Sequence, residues 1–521
     1  MAGALAKRVV SFYFFSSLST LPFHPVPVPL GRRIPDLPHA VSVSLPTISD
    51  IVAFKKKEPA MMEKVRSGYP RFVKHPYIVE FTEAYHSCKG LDATEMPLFF
   101  ASKMACEDAL QLHPQFFQVT TDVFQGVSAV VVKVGSEEEL AFSKYLQHTG
   151  TGLSSREAED LMSILETGRQ VVKEDTAEGG HDVLESLLQR WFSPSVPSVI
   201  LPCKSGMNAF YSVFRGINRL QSSRNRRNWI SIGWLYLDTM QILDRYLEPG
   251  GRSVWFSDPL DTQRIIDYIE TQGSSVAGLI LEAPTNPLVH TPDIRRISEA
   301  CRKAGIITVM DPSLVSPRNV DLSPWCDVVC CSLTKFAAYE GNILIGAVAV
   351  NTETGFGREL VDILPSILTP PYHRDSVRLA ASLRNADQVL DRINVNTMAL
   401  ADFFEGHAGV EKAYWAYAKE YQDRYRAIHR AEACPGSIIT LKLKRPLPEF
   451  YDPLPLPKGP SFGAEFTLVC AYMYVAHYDI LGTAEGQRLM KEADIDPGLV
   501  RLSIGVEPVD DLIRIFDEAL R

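Results

Sequence analysis

Gly278-Leu279-Ile280-Leu281-Glu282-Ala283-Pro284-Thr285-Asn286-Pro287, Ile306-Ile307-Thr308-Val309-Met310-Asp311 and Asp327-Val328-Val329-Cys330-Cys331-Ser332-Leu333-Thr334-Lys335 share one grammar. In each, a short continuous apolar run ends in polar or charged residues. Such runs, bounded by turn formers, read as strands buried on both faces. Between the first two, Ile294 to Lys303 reads as an amphipathic helix. The alternation continues outward. Val199-Ile200-Leu201 is followed by a loop at Lys204-Ser205-Gly206-Met207 and a helix through Phe214, and Trp229-Ile230-Ser231-Ile232 and Ser253-Val254-Trp255-Phe256 add two strands. Strands alternating with helices imply βαβ units and a mostly parallel sheet, an α/β fold. Ser205, Asn286, Asp311 and Lys335 collect just past strand ends, where open α/β sheets place their ligand crevice. One pocket built from several strand ends is therefore expected.

The flanks read differently. Beyond about residue 390 a long helix, short strands near Ile438 to Leu443 and further helices indicate a smaller α+β domain. Upstream, a helical pattern begins at Ile78, Ala129-Val130-Val131-Val132 is strand-like, and His148 to Ser155 reads as a loop feeding a helix at Arg156. His39 to Pro46 alternates as an extended segment does. The expected division is 1–35 leader, 36–145 N-terminal extension, 146–388 large domain and 389–521 small domain, within the two to four domains that 521 residues imply at about 150 each. The first 35 residues hold Lys7, Arg8, Arg32 and Arg33 and no acid. A disordered leader is the favoured reading, with a signal peptide or mitochondrial presequence as the others.

Composition narrows the classes. Hydrophobic residues at 46% and charged residues at 22% are those of a globular protein. No run of about 18 uncharged apolar residues supports a spanning helix. The net charge of −9 disfavours nonspecific binding to nucleic acid or an anionic membrane. Nine cysteines in so long a chain do not form a disulfide framework, which favours a reducing, cytoplasmic setting, with mitochondrial as the alternative. Cys326, Cys330 and Cys331 cluster, but within an apolar run. Core packing is preferred there to a metal site.

Three side chains suit one cofactor. A lysine drawn into an apolar pocket, as Lys335 would be, has a lowered pKa and forms Schiff bases. A buried carboxylate such as Asp311 needs a cationic partner, and a protonated pyridine nitrogen supplies one. Ser205-Gly206 opens a helix whose N-terminus favours a phosphate, with Ser332 and Thr334 as added donors. Each has a plainer reading: a solvated rim lysine, a turn-forming Asp, a simple helix cap. The combination and its order carry the argument.

The blocks Glu282 to Pro287, Asp311 and Ser332 to Lys335, with Ser205-Gly206-Met207, Tyr236 and Thr239, Pro460-Ser461-Phe462-Gly463 and Arg501-Leu502-Ser503-Ile504-Gly505-Val506-Glu507, resemble the cystathionine gamma-synthase family of pyridoxal-phosphate enzymes of Cys and Met metabolism. The likeness covers roughly residues 145 to 521, and Pro38 to Phe72 is similar to the extension of fungal members. It implies an aspartate-aminotransferase-like, fold type I large domain with pyridoxal 5'-phosphate as cofactor. Lys335 resembles the lysine that carries the cofactor and moves protons, Asp311 the partner of the ring nitrogen, and Asn286 the residue bonding the ring hydroxyl. Ser205, Gly206, Met207, Ser332 and Thr334 are similar to the phosphate cup, Tyr236 to the stacked tyrosine, and Arg501 with Ser461 to the clamp on the substrate carboxylate. Read without the family, Tyr236 is a core aromatic, Arg501 a surface ion pair and Asn286 a turn residue.

The chain departs from the family in two places. Where most members carry a Tyr-x-Arg that reaches a neighbouring subunit's phosphate, it reads Gln147-His148-Thr149-Gly150-Thr151-Gly152-Leu153-Ser154-Ser155-Arg156, which makes Arg156 the candidate for that contact. After Lys335 the usual glycine-rich loop reads Ala337-Ala338-Tyr339-Glu340-Gly341-Asn342. The resemblance implies γ-substitution on an O-activated homoserine, O-acetylhomoserine for instance. The nucleophile would be a thiol as in trans-sulfuration or, in a specialised pathway, carbon or nitrogen. A C–S lyase and a non-catalytic cofactor-binding scaffold are the alternatives. A small amino-acid substrate and a homodimer or homotetramer complete the expectation, with no metal, nucleic acid or membrane partner.

Overall fold

In the computed structural model the described residues are 25–521, apart from 167–168, 170 and 172–179. Residues 1–24 of the expected leader lie outside them. The central sheet has seven strands in the order Ser198–Cys203, Gly346–Asn351, Val328–Ser332, Ile307–Asp311, Val276–Glu282, Asn228–Ile232, Ser253–Phe256. Neighbours run parallel except Gly346–Asn351, which is antiparallel to both of its partners. Successive side chains of a strand face opposite sides. Met310, Val329 and Cys331 pack into one hydrophobic layer, and Val309, Val328 and Cys330 into the other. The adjacent cysteines thus face opposite ways as core residues. Among the described residues no group of His, Cys, Asp and Glu is placed to hold a metal ion, and no helix is long and apolar enough to cross a membrane.

The helices follow from local chemistry. Ile294–Ala304 buries Ile294, Ile297, Ala300 and Cys301 along one face. Asp293 caps its start by accepting from Arg296 N, and Gly305, at φ +67, ends it in the left-handed conformation that glycine adopts without penalty. His373–Gly406, 34 residues long, leads from the large sheet to a four-stranded antiparallel sheet in the order Val410–Tyr414, Ile438–Leu443, Val500–Ser503, Leu468–Ala471. Upstream, Glu95–Phe100, Val127–Lys133 and Thr120–Phe124 form an antiparallel three-stranded sheet.

The segment before that sheet is stitched to the far end of the chain. Leu45 N donates to Lys458 O at 2.9 Å, Ser42 Oγ to Pro460 O at 2.5 Å, and Tyr451 hydroxyl to Leu45 O at 3.1 Å. Gly459 lies so close that a Cβ there would come within 2.2 Å of Val43 O.

Close approach also fixes the sheet centre. Gly278 pairs with Trp229, and a Cβ on Gly278 would sit 2.7 Å from the indole ring, whose Nε1 donates to Asn218 Oδ1 at 2.9 Å. Gly278→Ala is expected to destabilise the protein by about 1–3 kcal/mol through overpacking. A urea midpoint equal to wild type would contradict this contact.

Candidate active site

Strands Val276–Glu282, Ile307–Asp311 and Val328–Ser332 lie side by side, so their ends bring Glu282, Asp311 and Ser332 to one edge. They open on a cavity of about 530 Å³ that Lys335, Ser205, Gly206, Met207, Tyr236, Asn286, Ser461 and Arg501 also line. Lys335 follows its strand by a tight turn, and its Nζ sits 2.6 Å from Ser461 Oγ. The rings of Tyr69 and Phe462 flank it, with centres 4.8 and 4.9 Å away. Burial, reinforced by the guanidinium groups of Arg501 and Arg71, holds its pKa well below that of a free lysine. The neutral amine is the nucleophilic form. Ser461 adopts φ +91, and at Gly463 a Cβ would come within 2.8 Å of Phe336 N. The Pro460–Gly463 turn therefore presses directly on the lysine backbone.

Asp311 accepts from Ser313 N at 2.7 Å and has no ion-pair partner among the described residues. Burial pushes its pKa up to about 6. Across the sheet register lies Glu282, pushed up to about 8 by burial and by the charge of Asp311. Two buried carboxyl groups so placed ionise in sequence. Glu282 keeps its proton near neutrality and accepts from Tyr236 N at 2.5 Å, while Asp311 holds the negative charge.

Ser205 caps the Gly206–Ser222 helix by accepting from Asn208 N at 3.1 Å, and donates to Gly150 O at 3.1 Å. Its hydroxyl is thus committed to fixing the helix end, whose first N–H groups have no intrahelical acceptor. Gly206 lets that end approach Ser332, since a Cβ would fall 2.7 Å from Ser332 Cβ. Arg501 is buried rather than at the surface. Its Nη1 donates to Asn286 Oδ1 at 3.2 Å and its Nη2 to Ser461 O at 3.0 Å, and the rings of Phe462 and Tyr472 are centred 5.0 and 5.1 Å away. No carboxylate pairs with it among the described residues. A planar fork held by neutral groups is a receptor for an incoming carboxylate. Asn286 also donates to Tyr472 hydroxyl at 3.1 Å, so it belongs to this cluster and not to its turn alone.

Thr334 is buried with its hydroxyl 3.1 Å from Ile345 N, and its side chain also bonds Tyr69, which lines the cavity. The structure departs from the sequence reading at Arg156. Arg156 is turned inward by the capping box of the Ser155–Leu165 helix, and pairs with Asp375 at 3.0 Å and Asn342 O at 2.9 Å. A guanidinium neutralised inside its own chain is not presented to a partner. The cavity arginine that the reading missed is Arg71, which donates to Tyr236 hydroxyl, to Asp238 and, at 2.9 Å, to Gln147 O. The signal was present as Tyr69-Pro70-Arg71, a Tyr-x-Arg far upstream of the loop in which one was sought.

Tested against this geometry, the cofactor fits. A protonated pyridine nitrogen supplies the cation Asp311 lacks, and Lys335 offers a neutral amine to an aldehyde. The Gly206 helix end, Ser332 and Arg71 offer donors to a phosphate.

The family profile described as Cys/Met metabolism PLP-dependent enzyme matches residues 198–521. The chain is 33% identical over 491 residues to the L-2-amino-4-chloropent-4-enoate dechlorinase/desaturase of Streptantibioticus cattleyicolor, covering 94% of this chain and 97% of that protein. It is 24% identical over 622 residues to the cystathionine gamma-synthase of Neurospora crassa, covering 95% and 98%. Among solved structures, the cystathionine gamma synthase of Xanthomonas oryzae pv. oryzae in complex with aminoacrylate and cysteine superposes with a TM-score of 0.55 at 21% identity, over 68% of this chain and 89% of that one. That likeness shows a shared fold, with its mostly parallel sheet. Profile, relatives and cavity agree, and the chain belongs to the pyridoxal-phosphate-dependent enzymes of Cys and Met metabolism.

Proposed function

We propose that the chain expels a leaving group from the γ-carbon of an amino acid. O-activated homoserine is the donor, and a thiol, carbon or nitrogen nucleophile replaces the group lost. One observation carries this reading: Ser461 joins the two groups the chemistry needs, with its Oγ on the Lys335 amine and its carbonyl on the Arg501 guanidinium. A substrate whose α-carboxylate lies on Arg501 thereby presents Cα toward Lys335. The bound cofactor supplies the electron sink that makes Cα acidic. Lys335 takes the Cα proton as a neutral base, and its amine is the group positioned to move the Cβ proton that must leave before the γ-bond breaks. Asp311 holds the proton on the ring nitrogen. The walls of Tyr69, Phe462 and Tyr472 keep water from the reacting carbon. Association as a homodimer or homotetramer is part of the same reading.

A second reading, elimination without replacement, is favoured by the 33% identity to a protein whose name describes dechlorination and desaturation. Incubation with O-acetylhomoserine and a panel of nucleophiles, followed by mass spectrometry, separates the two. Replacement yields an adduct. Elimination, with no nucleophile present, yields the freed leaving group with either an unsaturated amino acid or ammonia and a 2-oxo acid. Neither product from any γ-substituted amino acid would remove both readings.

Lys335→Ala should abolish turnover and the amino-acid-responsive cofactor absorbance while the fold survives. Wild-type rate in the purified variant would exclude Lys335 as the base. Asp311→Asn should keep cofactor but lower kcat tenfold or more, about 1.4 kcal/mol in barrier, because a neutral amide does not hold the ring nitrogen protonated. An unchanged rate at saturating substrate counts against that role. Arg501→Lys keeps the charge and loses the two-donor fork, so kcat/KM should fall by about 1.5–3 kcal/mol, chiefly through KM. Steady-state kinetics equal to wild type would take Arg501 out of substrate recognition.

A further inference from the structure

The segment that bears Tyr69 and Arg71 is fastened to its own chain on both sides. Before it, the Pro59–Lys64 helix abuts Gly31, where a Cβ would fall 2.2 Å from Lys64 O, and Val65 is buried in the main core. After it, His75 caps the Pro76–Lys89 helix by accepting from Tyr77 N at 3.2 Å, and its Nε2 donates to Pro38 O at 2.9 Å. Four residues of extended chain span at most about 14 Å, so Arg71 stays within that distance of His75. Inside that reach its side chain is locked. Arg71 donates to Asp238, to Tyr236 hydroxyl and, at 2.9 Å, to Gln147 O, while Gln147 Nε2 donates to Asp238 Oδ1 at 3.1 Å. Tyr69 bonds both Arg71 and Thr334. Asp238 lies two residues past Tyr236, and Thr334 lies next to Lys335. The Tyr69-Pro70-Arg71 motif is thus tied to the elements that carry Tyr236 and Lys335 of the same chain. Both members of the Arg71–Asp238 pair are buried, and breaking such a pair at one partner costs about 3–5 kcal/mol. Moving Arg71 into another chain's site would leave Asp238 charged and alone.

We propose that each chain completes its own cofactor site, with Arg71 as the arginine on the phosphate side, supplied in cis. The family resemblance implies the opposite arrangement, in which a neighbouring subunit's Tyr-x-Arg reaches across. In the loop read as the counterpart of that motif, Gly150 adopts φ +63, and a Cβ there would fall 2.0 Å from Ser205 Oγ. That position has no room for a side chain. The Arg71 guanidinium lines the cavity and has five N–H donors, more than its four acceptors in the protein use. Subunits that associate would then bind cofactor independently of one another.

Two binding measurements test this. Apoenzyme is titrated with pyridoxal 5'-phosphate and with pyridoxal, and imine absorbance is read. Arg71→Met should lower the preference for the phosphorylated compound by about tenfold or more, the size of a charge-assisted hydrogen bond. Where the single variant unfolds, Arg71→Met combined with Asp238→Asn leaves no unpaired charge and repeats the test. Mixed oligomers of Arg71→Met and Lys335→Ala chains, co-expressed and purified through two different tags, then show which chain the arginine serves. Only the Arg71→Met chain forms an imine in them. The expected result is weak binding throughout, equal to that of the Arg71→Met protein alone. A phase of wild-type affinity in the mixed oligomer would mean that the neighbour supplies the arginine, and it overturns the proposal. An unchanged preference in Arg71→Met overturns it as well. A protein that stays monomeric and still shows the Arg71-dependent preference supports it. Both measurements read cofactor binding alone, so failure of the γ-carbon reading leaves them intact.

Discussion

Transferring an ammonium ion from water into an apolar pocket costs several kcal/mol unless a counter-ion goes with it. Lys335 goes without one. Aromatic rings, a serine hydroxyl and two guanidinium groups surround it, and each cation raises the cost of its charge. The amine meets that constraint by giving up its proton, which turns a solvated charge into a base. Much of the surrounding architecture serves to keep the arrangement in place. The 328–332 strand fixes the backbone from which the lysine rises, and the 460–463 turn lies directly over it. The acidic side of the site follows the same logic in reverse. Glu282 stays neutral so that Asp311 alone carries charge, and that charge waits for a cation that the protein itself withholds.

Most of the strand ends were legible because a strand buried on both faces leaves a continuous apolar run, and a polar residue right after it is conspicuous. Ser253-Val254-Trp255-Phe256 matches its strand residue for residue. The Gly346–Asn351 strand is less legible, because in Gly346-Ala347-Val348-Ala349-Val350-Asn351 the strand-forming Val348 and Val350 stand among Gly, Ala and Asn, which strands disfavour. It becomes a strand through its pairing with Val328–Ser332 and Ser198–Cys203, which no local window contains. The loop read at His148 to Ser155 is shorter than it seemed, since His148 and Thr149 complete the Glu137–Thr149 helix.

The arginines show the same limit at the level of side chains. Arg501 was legible because a motif surrounds it. Arg71 was not, because its place in the cavity depends on how the N-terminal segment folds back over the sheet. Arg156 is the candidate because it ends the Gln147 to Arg156 loop, which stands where family members carry a Tyr-x-Arg, but a capping box at Ser154 and Glu157 sets the phase of its helix and points the side chain at Asp375. Four residues of local hydrogen bonding thus outweigh a long-range analogy.

The bonds from Ser42 and Leu45 to the 458–460 segment carry a consequence for biogenesis. A ribosome releases the first of these residues more than four hundred positions before the second. Until then Val43, Leu45 and Ile51, which end almost fully buried, have no surface to cover them. The nascent chain therefore carries an exposed apolar stretch through nearly its whole synthesis, and the roof of its own cavity is the last joint to close. Demand for a chaperone should thus concentrate at the beginning of the chain, and a ribosome that stalls late should leave behind a product with a folded sheet and an open site.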